Sequence, residues 1–438
     1  MKILHIPSIN RVLIPFISLI LSAGLPDLAC AQNSHEIYQR GLQKEIGEGN
    51  LSDAIQLYQQ VTKDQSADRR VRANAQLHIG ICYEKLGIEK AKRAYQNVLE
   101  NFADQQDVVA EARKRLARFE PEFSHVDPDA RVAFIKAKHY LGMGNTHKAL
   151  DYYKQAIALD STFAQAYTEL AWLFAYSGKM GTPKERMPAA EGYALKALEI
   201  DSNLGKAHTA LGMVRMFYYW DWVGAEKEYL RALELNPNST ITMEFYAIFL
   251  SSQGRLDEAL LQLERALRLD PVNQWVNEYL ADHYMYKREF DRAIKQYYKT
   301  LELHPQSRVT HLKLSNPYHK KNMVDEQIRS VKNYFLAVGD TILAEIFVNT
   351  YLESGYKQAM LKWIEAWQPY TTGQSVQATS IALCYMSIDD YDKAIEWLQK
   401  GYELKNKDMI MLGIHPMFDD LRSDERFLEL LDKIGLPH

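Results

Sequence analysis

Residues 240–273 read TITMEFYAIFLSSQGRLDEALLQLERALRLDPVN, and residues 274–307 read QWVNEYLADHYMYKREFDRAIKQYYKTLELHPQS. Laid over each other without a gap, the two 34-residue stretches share Ala at place eight (Ala247, Ala281) and at place twenty (Ala259, Ala293). They also share a large residue at eleven (Leu250, Tyr284), a small one at twenty-seven (Ala266, Thr300) and Pro at thirty-two (Pro271, Pro305). Working outward, Gly, Ala or Ser recurs at 80, 137, 171, 212, 247, 281, 315 and 382. Apolar residues such as Leu280 and Tyr284 fall at helical spacing between these marks. A period of this length means a stack of helical hairpins, each packing on its neighbours and together presenting a curved surface.

The small residues have a physical reason. Two helices joined by a short turn approach to within about 8–10 Å only where the facing side chains are small. Ala at eight and twenty therefore opens the space that Tyr140, Tyr153, Tyr284 or Tyr297 fills, and burying such a ring contributes about 1.5–3 kcal/mol. Gly144, Gly178 and Gly254 fall in the turn between the two helices of a unit. Pro237, Pro271 and Pro305 end the second helix, having no N–H to continue it. Units fall around 37–61 and 73–98, then start near 130, 164, 205, 240, 274, 308, 342 and 375. The unit at 164 carries about seven extra residues, 178–188, expected as a longer turn protruding from one edge. Asn316-Pro317 is expected to kink the first helix of the unit at 308, and the unit at 342 is degenerate.

This pattern resembles the tetratricopeptide repeat family, whose mark is a small residue at eight, an aromatic at eleven, Ala at twenty, an aromatic at twenty-four and Pro near thirty-two. The resemblance implies an all-α fold, a right-handed superhelical solenoid of antiparallel helix pairs. It also implies that first-helix places two, five, nine, twelve and thirteen face the concave groove. Carried onto this chain, those places hold Phe134 and Lys138, Trp172 and Tyr176, Met213, Met216 and Phe217, Glu244 and Ile248, then Trp275, Glu278, Asp282 and Tyr286. Aromatic and Met residues dominate, as expected of a groove that takes a protein or peptide partner, either an extended segment or a helix. Members that clamp a carboxyl terminus use Lys and Asn at places five and nine and further basic residues later. Here Phe134, Lys138, Glu169, Lys206 and Ala210 stand at the corresponding places, so that ligand class is not expected.

Composition and the ends of the chain bound the rest. With 438 residues, 47% hydrophobic and 25% charged, this is an ordinary globular composition. The formal net charge of −4 becomes one unit more negative without Lys2, Arg11 and Asp27, which argues against a nucleic-acid ligand. Arg113, Lys114, Arg115 and Arg118 read as a solvated helix face. Residues 1–31 look like a secretory leader. Lys2 and Arg11 precede the apolar run 12–25, and Ala29-Cys30-Ala31 supplies small residues for cleavage before Gln32. That places the protein in the periplasm or cell envelope. The alternative is a regulatory sensor held at the membrane by residues 12–25 and acting on a separate effector. The mature chain keeps two cysteines, Cys82 and Cys384, each read as a small buried hydrophobe.

The domain reading is a leader (1–31), an amino-terminal block (32–118), a linker with Pro121 and Pro128 (119–129), a main array (130–408) and a carboxyl-terminal cap (409–438). The block, with Gly80-Ile81-Cys82-Tyr83, resembles modules that open exported bacterial repeat proteins. Tyr218-Tyr219-Trp220-Asp221-Trp222 and the ending Pro416, Phe418, Phe427, Gly435 resemble the tetratricopeptide tails of bacterial kinases, adenylate cyclases and winged-helix regulators. In the cap, Ser423 is expected as a helix N-cap, with Phe427, Leu430, Leu431 and Ile434 covering the last repeat. No phosphate loop, nucleophile elbow or paired-Cys site occurs. His304, His311 and His319 fall at unlike places, and Asp389-Asp390 and Asp419-Asp420 read as capping residues. The expectation is a non-enzymatic chain without metal or cofactor.

Overall fold

A computed structural model describes residues 25–86, 90–116, 125–367 and 378–438. Of the expected leader, 1–24 lie outside the described residues, as do 119–124 of the expected linker. The chain divides into two compact units between Lys136 and Ala137. Every regular element among the described residues is helical.

The first unit contains α1 (Leu25–Leu42), α2 (Leu51–Lys63), α3 (Arg69–Lys85), α4 (Lys90–Asn101) and α5 (Gln106–Leu116), and most of α6 (Pro128–Gly142). Its hairpins close on glycines. A Cβ on Gly80 would stand 2.4 Å from the Tyr95 ring, and one on Gly41 would stand 2.5 Å from the Tyr58 ring, both rings being wholly buried. The buried carboxylate of Glu45 locks the first hairpin to α3. It accepts from Tyr58 OH (3.0 Å), faces His78 Nδ1 (2.7 Å) and takes Lys85 Nζ (2.8 Å). Burial alone would raise its pKa, but these hydrogen bonds outweigh burial and hold it at about 2.

The second unit runs through α7 (Thr146–Leu159), α8 (Ala164–Tyr176), α9 (Pro183–Ile200), α10 (Gly205–Val214), α11 (Trp222–Leu235), α12 (Thr240–Ser252) and α13 (Leu256–Leu269). It continues with α14 (Gln274–Tyr286), α15 (Phe290–Leu303), α16 (Arg308–Lys320), α17 (Val324–Ala337), α18 (Thr341–Trp367), α19 (Ala378–Met386), α20 (Tyr391–Glu403) and α21 (Glu425–Ile434). First helices α8, α10, α12 and α14 contact one another in sequence and form the inner layer. The place-eight alanines 137, 171, 247, 281 and 382 are buried, as are Tyr153 opposite Ala137 and Tyr297 opposite Ala281. Tyr140 and Tyr284, at place eleven, are only half-buried; Lys148 and Arg292 cover their faces at 5.0 and 4.0 Å.

Of the irregular units, the one at 164 resolves differently from its expected form. The extra residues at 178–188 do not protrude as a loop. A 3-10 turn (Gly178–Met180) leads into α9, which starts with Pro183 at its first position, and Glu185 accepts from the Thr182 N–H at 2.8 Å. The insertion thus lengthens the second helix, and Pro188 lies inside it. Helix α16 runs from Arg308 to Lys320 with Pro317 inside. In the degenerate unit, α18 is two helices broken at Gly355, whose φ of 83° an L side chain rarely adopts. One more irregularity has a clear cause. Ala281 and Tyr297 are 16 residues apart, whereas Gly212 and Tyr229 are 17 apart, and the extra residue is absorbed by a π-turn at Arg215–Tyr219 that ends on left-handed Trp220 (φ 57°). Gly41 and Tyr58 are also 17 apart, with a π-turn at Gln43–Gly47 between them.

Beyond α20 the chain does not simply cap the last repeat. A 3-10 turn at Lys407–Met411 packs on the π-turn Arg215–Tyr219 and on α12, a second at Pro416–Leu421 packs on α19, and α21 packs on α20. Asp424, not Ser423, caps α21, accepting from the Arg426 N–H. Phe427, Leu430, Leu431 and Ile434 are buried against the last repeat as expected, yet they belong to one apolar core that reaches back to Ala171.

Candidate functional site

The inner layer of the second unit carries three sets of side chains, arranged along α8 to α16 by the repeat itself. At one end Trp172 stacks on Tyr176 (5.4 Å between centroids), and both meet Phe245 edge-on at 5.9 and 6.3 Å. Phe217 meets the same Phe245 at 6.3 Å. Lys206, paired with Glu169 at 2.6 Å, lies 5.3 Å over the Trp172 ring. Tyr176 is 48% exposed, whereas Trp172 and Phe217 are buried, so the set presents one open ring on a packed base.

The middle set is polar. Glu278 is buried, and its Oε1 accepts from Gln274 Nε2 (3.1 Å), Ser307 Oγ (2.8 Å) and Thr310 Oγ1 (2.6 Å), while Oε2 accepts nothing. Asp282 accepts from the Tyr297 hydroxyl and from Lys313 Nζ, whose ammonium also lies 5.0 Å over the Tyr279 ring. Burial raises the pKa of Asp282, with Lys313 opposing. Glu244 stands one repeat earlier, 5% exposed, and burial followed by repulsion from Glu278 pushes its carboxyl up to about 8.

The third set belongs to the carboxyl-terminal segment. Tyr286 packs against His415 at 5.8 Å, and Arg288 grips Asp419 with two nitrogens at 3.2 and 2.7 Å. Asp419 also accepts from Arg422 at 2.9 Å, so it is an ion-pair partner rather than a cap. Burial pushes His415 down to about 3, which keeps it neutral. At the start of α11, outside the inner layer, Trp222 Nε1 donates to the Ile434 carbonyl at 2.9 Å, and the neighbouring Trp220 stacks on Tyr402 (5.1 Å) with Lys405 Nζ 3.3 Å from its ring centre.

The residues expected at the groove therefore differ in access. Tyr176 and Trp275 (39% exposed) are open. Lys138 is exposed on α6, and Phe134, on the part of that helix in the first unit, is buried. Met213, Met216, Phe217, Ile248, Glu278, Asp282 and Tyr286 are buried, the last beneath the carboxyl-terminal segment. Sequence reasoning missed Phe245, Tyr279, Lys313, His415 and Asp419. The first two sit beside places that face the groove, and the last two come from a segment outside the repeat, where the period gives no address. Cys82 and Cys384 are free and buried, and burial pushes the Cys82 thiol up to about 12. Among the described residues no group of three or more His, Cys, Asp or Glu could hold a metal ion, and no helix is long and apolar enough to cross a membrane.

Descriptions of the family "Tetratricopeptide repeat" match residues 74–104, 130–163, 221–274 and 379–408. The chain carries tetratricopeptide repeats. Among solved structures, a human IFIT1 dimer with m7Gppp-AAAA is similar to it at a TM-score of 0.50 and 14% identity, over 91% of this chain and 89% of that one. A tetratricopeptide repeat protein from Parabacteroides merdae aligns at a TM-score of 0.42 and 14% identity, over 65% of this chain and 98% of that one. A curated relative, the human protein O-mannosyl-transferase TMTC3, is 27% identical over 210 residues, 48% of this chain. The match covers 21% of that protein, so this chain spans about a fifth of the length of the curated relative.

Proposed function

We propose that this protein is a non-enzymatic interaction scaffold that holds a partner polypeptide along the inner face of its second unit. The observation that carries the reading is the open ring of Tyr176 on a buried aromatic base, with Trp275 exposed farther along the same layer. Large apolar rings held rigidly at a surface are what interfaces use as anchors, because they bury much area at little cost in conformational entropy. The packed and polar parts of the face supply shape and register. The carboxyl-terminal segment limits the partner to the part of the face that it leaves open.

The test is binding of an immobilised array of extended peptides to the full chain and to its Tyr176→Ala and Trp275→Ala variants. Loss of an anchor costs about 2 kcal/mol, or about thirtyfold in affinity, at unchanged helicity. Equal binding by wild type and both variants would remove the face from consideration.

The proposal extends to place. Residues 1–31 have the order of a secretory leader, which supports export to the periplasm or cell envelope of a bacterium. Amino-terminal sequencing of the protein from its native cells decides the matter. A first residue of Gln32 agrees with export, while retention of Met1 favours a membrane-held sensor.

A further inference from the structure

We propose that Glu244 and Glu278, with the rings of Tyr176 and Tyr279, form a site for the basic side chain, lysine or arginine, of a peptide lying on the inner face. The inference rests on the reading of that face as a peptide groove and names what the partner must carry.

The two carboxyls hold the same place in successive repeats, 34 residues apart. Glu278 is fully buried with one oxygen saturated by three donors and the other, Oε2, accepting nothing. Glu244 is nearly as buried, and among the described residues it has neither a hydrogen bond nor an ion pair. Buried carboxyls are ordinarily paired, since an unmet acceptor costs about 1–3 kcal/mol and an unmet charge more. The cations in reach do not meet the need. Lys313 is committed to Asp282, and Lys407, exposed at the start of the 3-10 turn, makes no ion pair among the described residues. Among the described residues, only one ammonium is engaged with Glu244, Glu278 and Asp282, and Asp282 holds it.

A cationic side chain supplies what is missing, a charge and several N–H donors. The aromatic neighbours suit the same ligand, for Tyr176 and Tyr279 both lie within electrostatic reach of Glu244, and a ring face attracts a cation. The half-exposed Tyr176 marks the way in.

The arrangement couples binding to a proton. The charged groups in reach of Glu244 are Glu278, Lys313 and Lys407, with Tyr176, Tyr279, Asp282 and Asp408 around them. With its carboxyl held up at about 8, Glu244 is mostly protonated at pH 7 and must release that proton when it pairs with a cation. Affinity for a basic peptide therefore rises with pH from 6 to 8.5.

The experiment uses octapeptide mixtures fixed at the central residue as Lys, Arg, norleucine or Glu and degenerate elsewhere, titrated into the full chain by calorimetry. The Lys and Arg mixtures should bind about tenfold more tightly than norleucine. At pH 7, titration in two buffers of different ionisation enthalpy should show proton release with the Lys mixture. Glu244→Gln should abolish both the preference and the release. That variant should keep its helicity and melting temperature at pH 7, because the carboxyl it replaces is mostly uncharged there. Equal binding of the norleucine and Lys mixtures, or a Lys preference that survives Glu244→Gln, overturns the cation site and leaves the groove standing. Failure of every mixture to bind overturns both.

Discussion

Alanine in place of two glycines separates close helix approach from every other effect of the substitution. At Gly212 a Cβ would lie 2.8 Å from Cε1 and 3.0 Å from both Cδ1 and Cζ of Tyr229. That ring is wholly buried, with Tyr246 and Phe249 each 6.1 Å away between centroids, and has nowhere to swing. At Gly192, inside α9, a Cβ would meet nothing within 4 Å. Both substitutions gain the helix preference of Ala over Gly, about 0.8–1 kcal/mol, and only Gly212→Ala incurs overpacking, about 1–3 kcal/mol. The propensity gain is common to both and cancels in their difference, leaving about 1–3 kcal/mol for the contact with Tyr229. Thermal melts followed by circular dichroism should place Gly192→Ala above wild type and Gly212→Ala several degrees below Gly192→Ala. Hydrogen exchange of peptides covering 205–235 should localise the loss. Alanine is not foreign to this place, for Ala281 stands opposite Tyr297. The difference at 212 is the ring's approach. If Gly212→Ala melts with Gly192→Ala, the close-packing explanation of the small residues is wrong.

Two further outcomes follow from single contacts. Glu45 has a folded pKa of about 2, below its unfolded value near 4.5, so its stabilisation is present above about pH 4.5 and is lost as pH falls toward 2. Glu45→Gln should flatten the acid limb of stability between pH 5 and 2, and an unchanged limb in urea titrations would refute its role. Trp222→Phe deletes the hydrogen bond to the Ile434 carbonyl and should cost about 1 kcal/mol. Faster hydrogen exchange confined to 425–438 at unchanged helicity would confirm it, and unchanged protection there would refute it.

The repeat was legible because close packing writes itself into sequence as small residues at a fixed interval, and Ala247, Ala281, Tyr153 and Tyr297 are buried as that logic requires. The insertion at 178–188 was misread because Gly178, Gly181 and two prolines look like a loop. Pro183 in fact sits at the one helical position that tolerates it, and Pro188 falls within the following turn. At the site, the places facing the groove could be counted off, but their exposure could not. Tyr286 is buried by His415, from a segment 129 residues later in the chain, and periodicity cannot say what else folds onto a face. The pairing of Arg288 with Asp419 was hidden for the same reason.

The bond from Trp222 to Ile434 joins residues 212 positions apart within an architecture whose units ordinarily touch only their neighbours. Open arrays of this kind can lengthen or shorten by whole modules, since each junction is local. Here a module gained or lost between Arg288 and Asp419 would carry the tail past its seat, separating Trp222 from Ile434 and Arg288 from Asp419 together. The number of units between them is thereby fixed by closure, and this stretch must be inherited as a block.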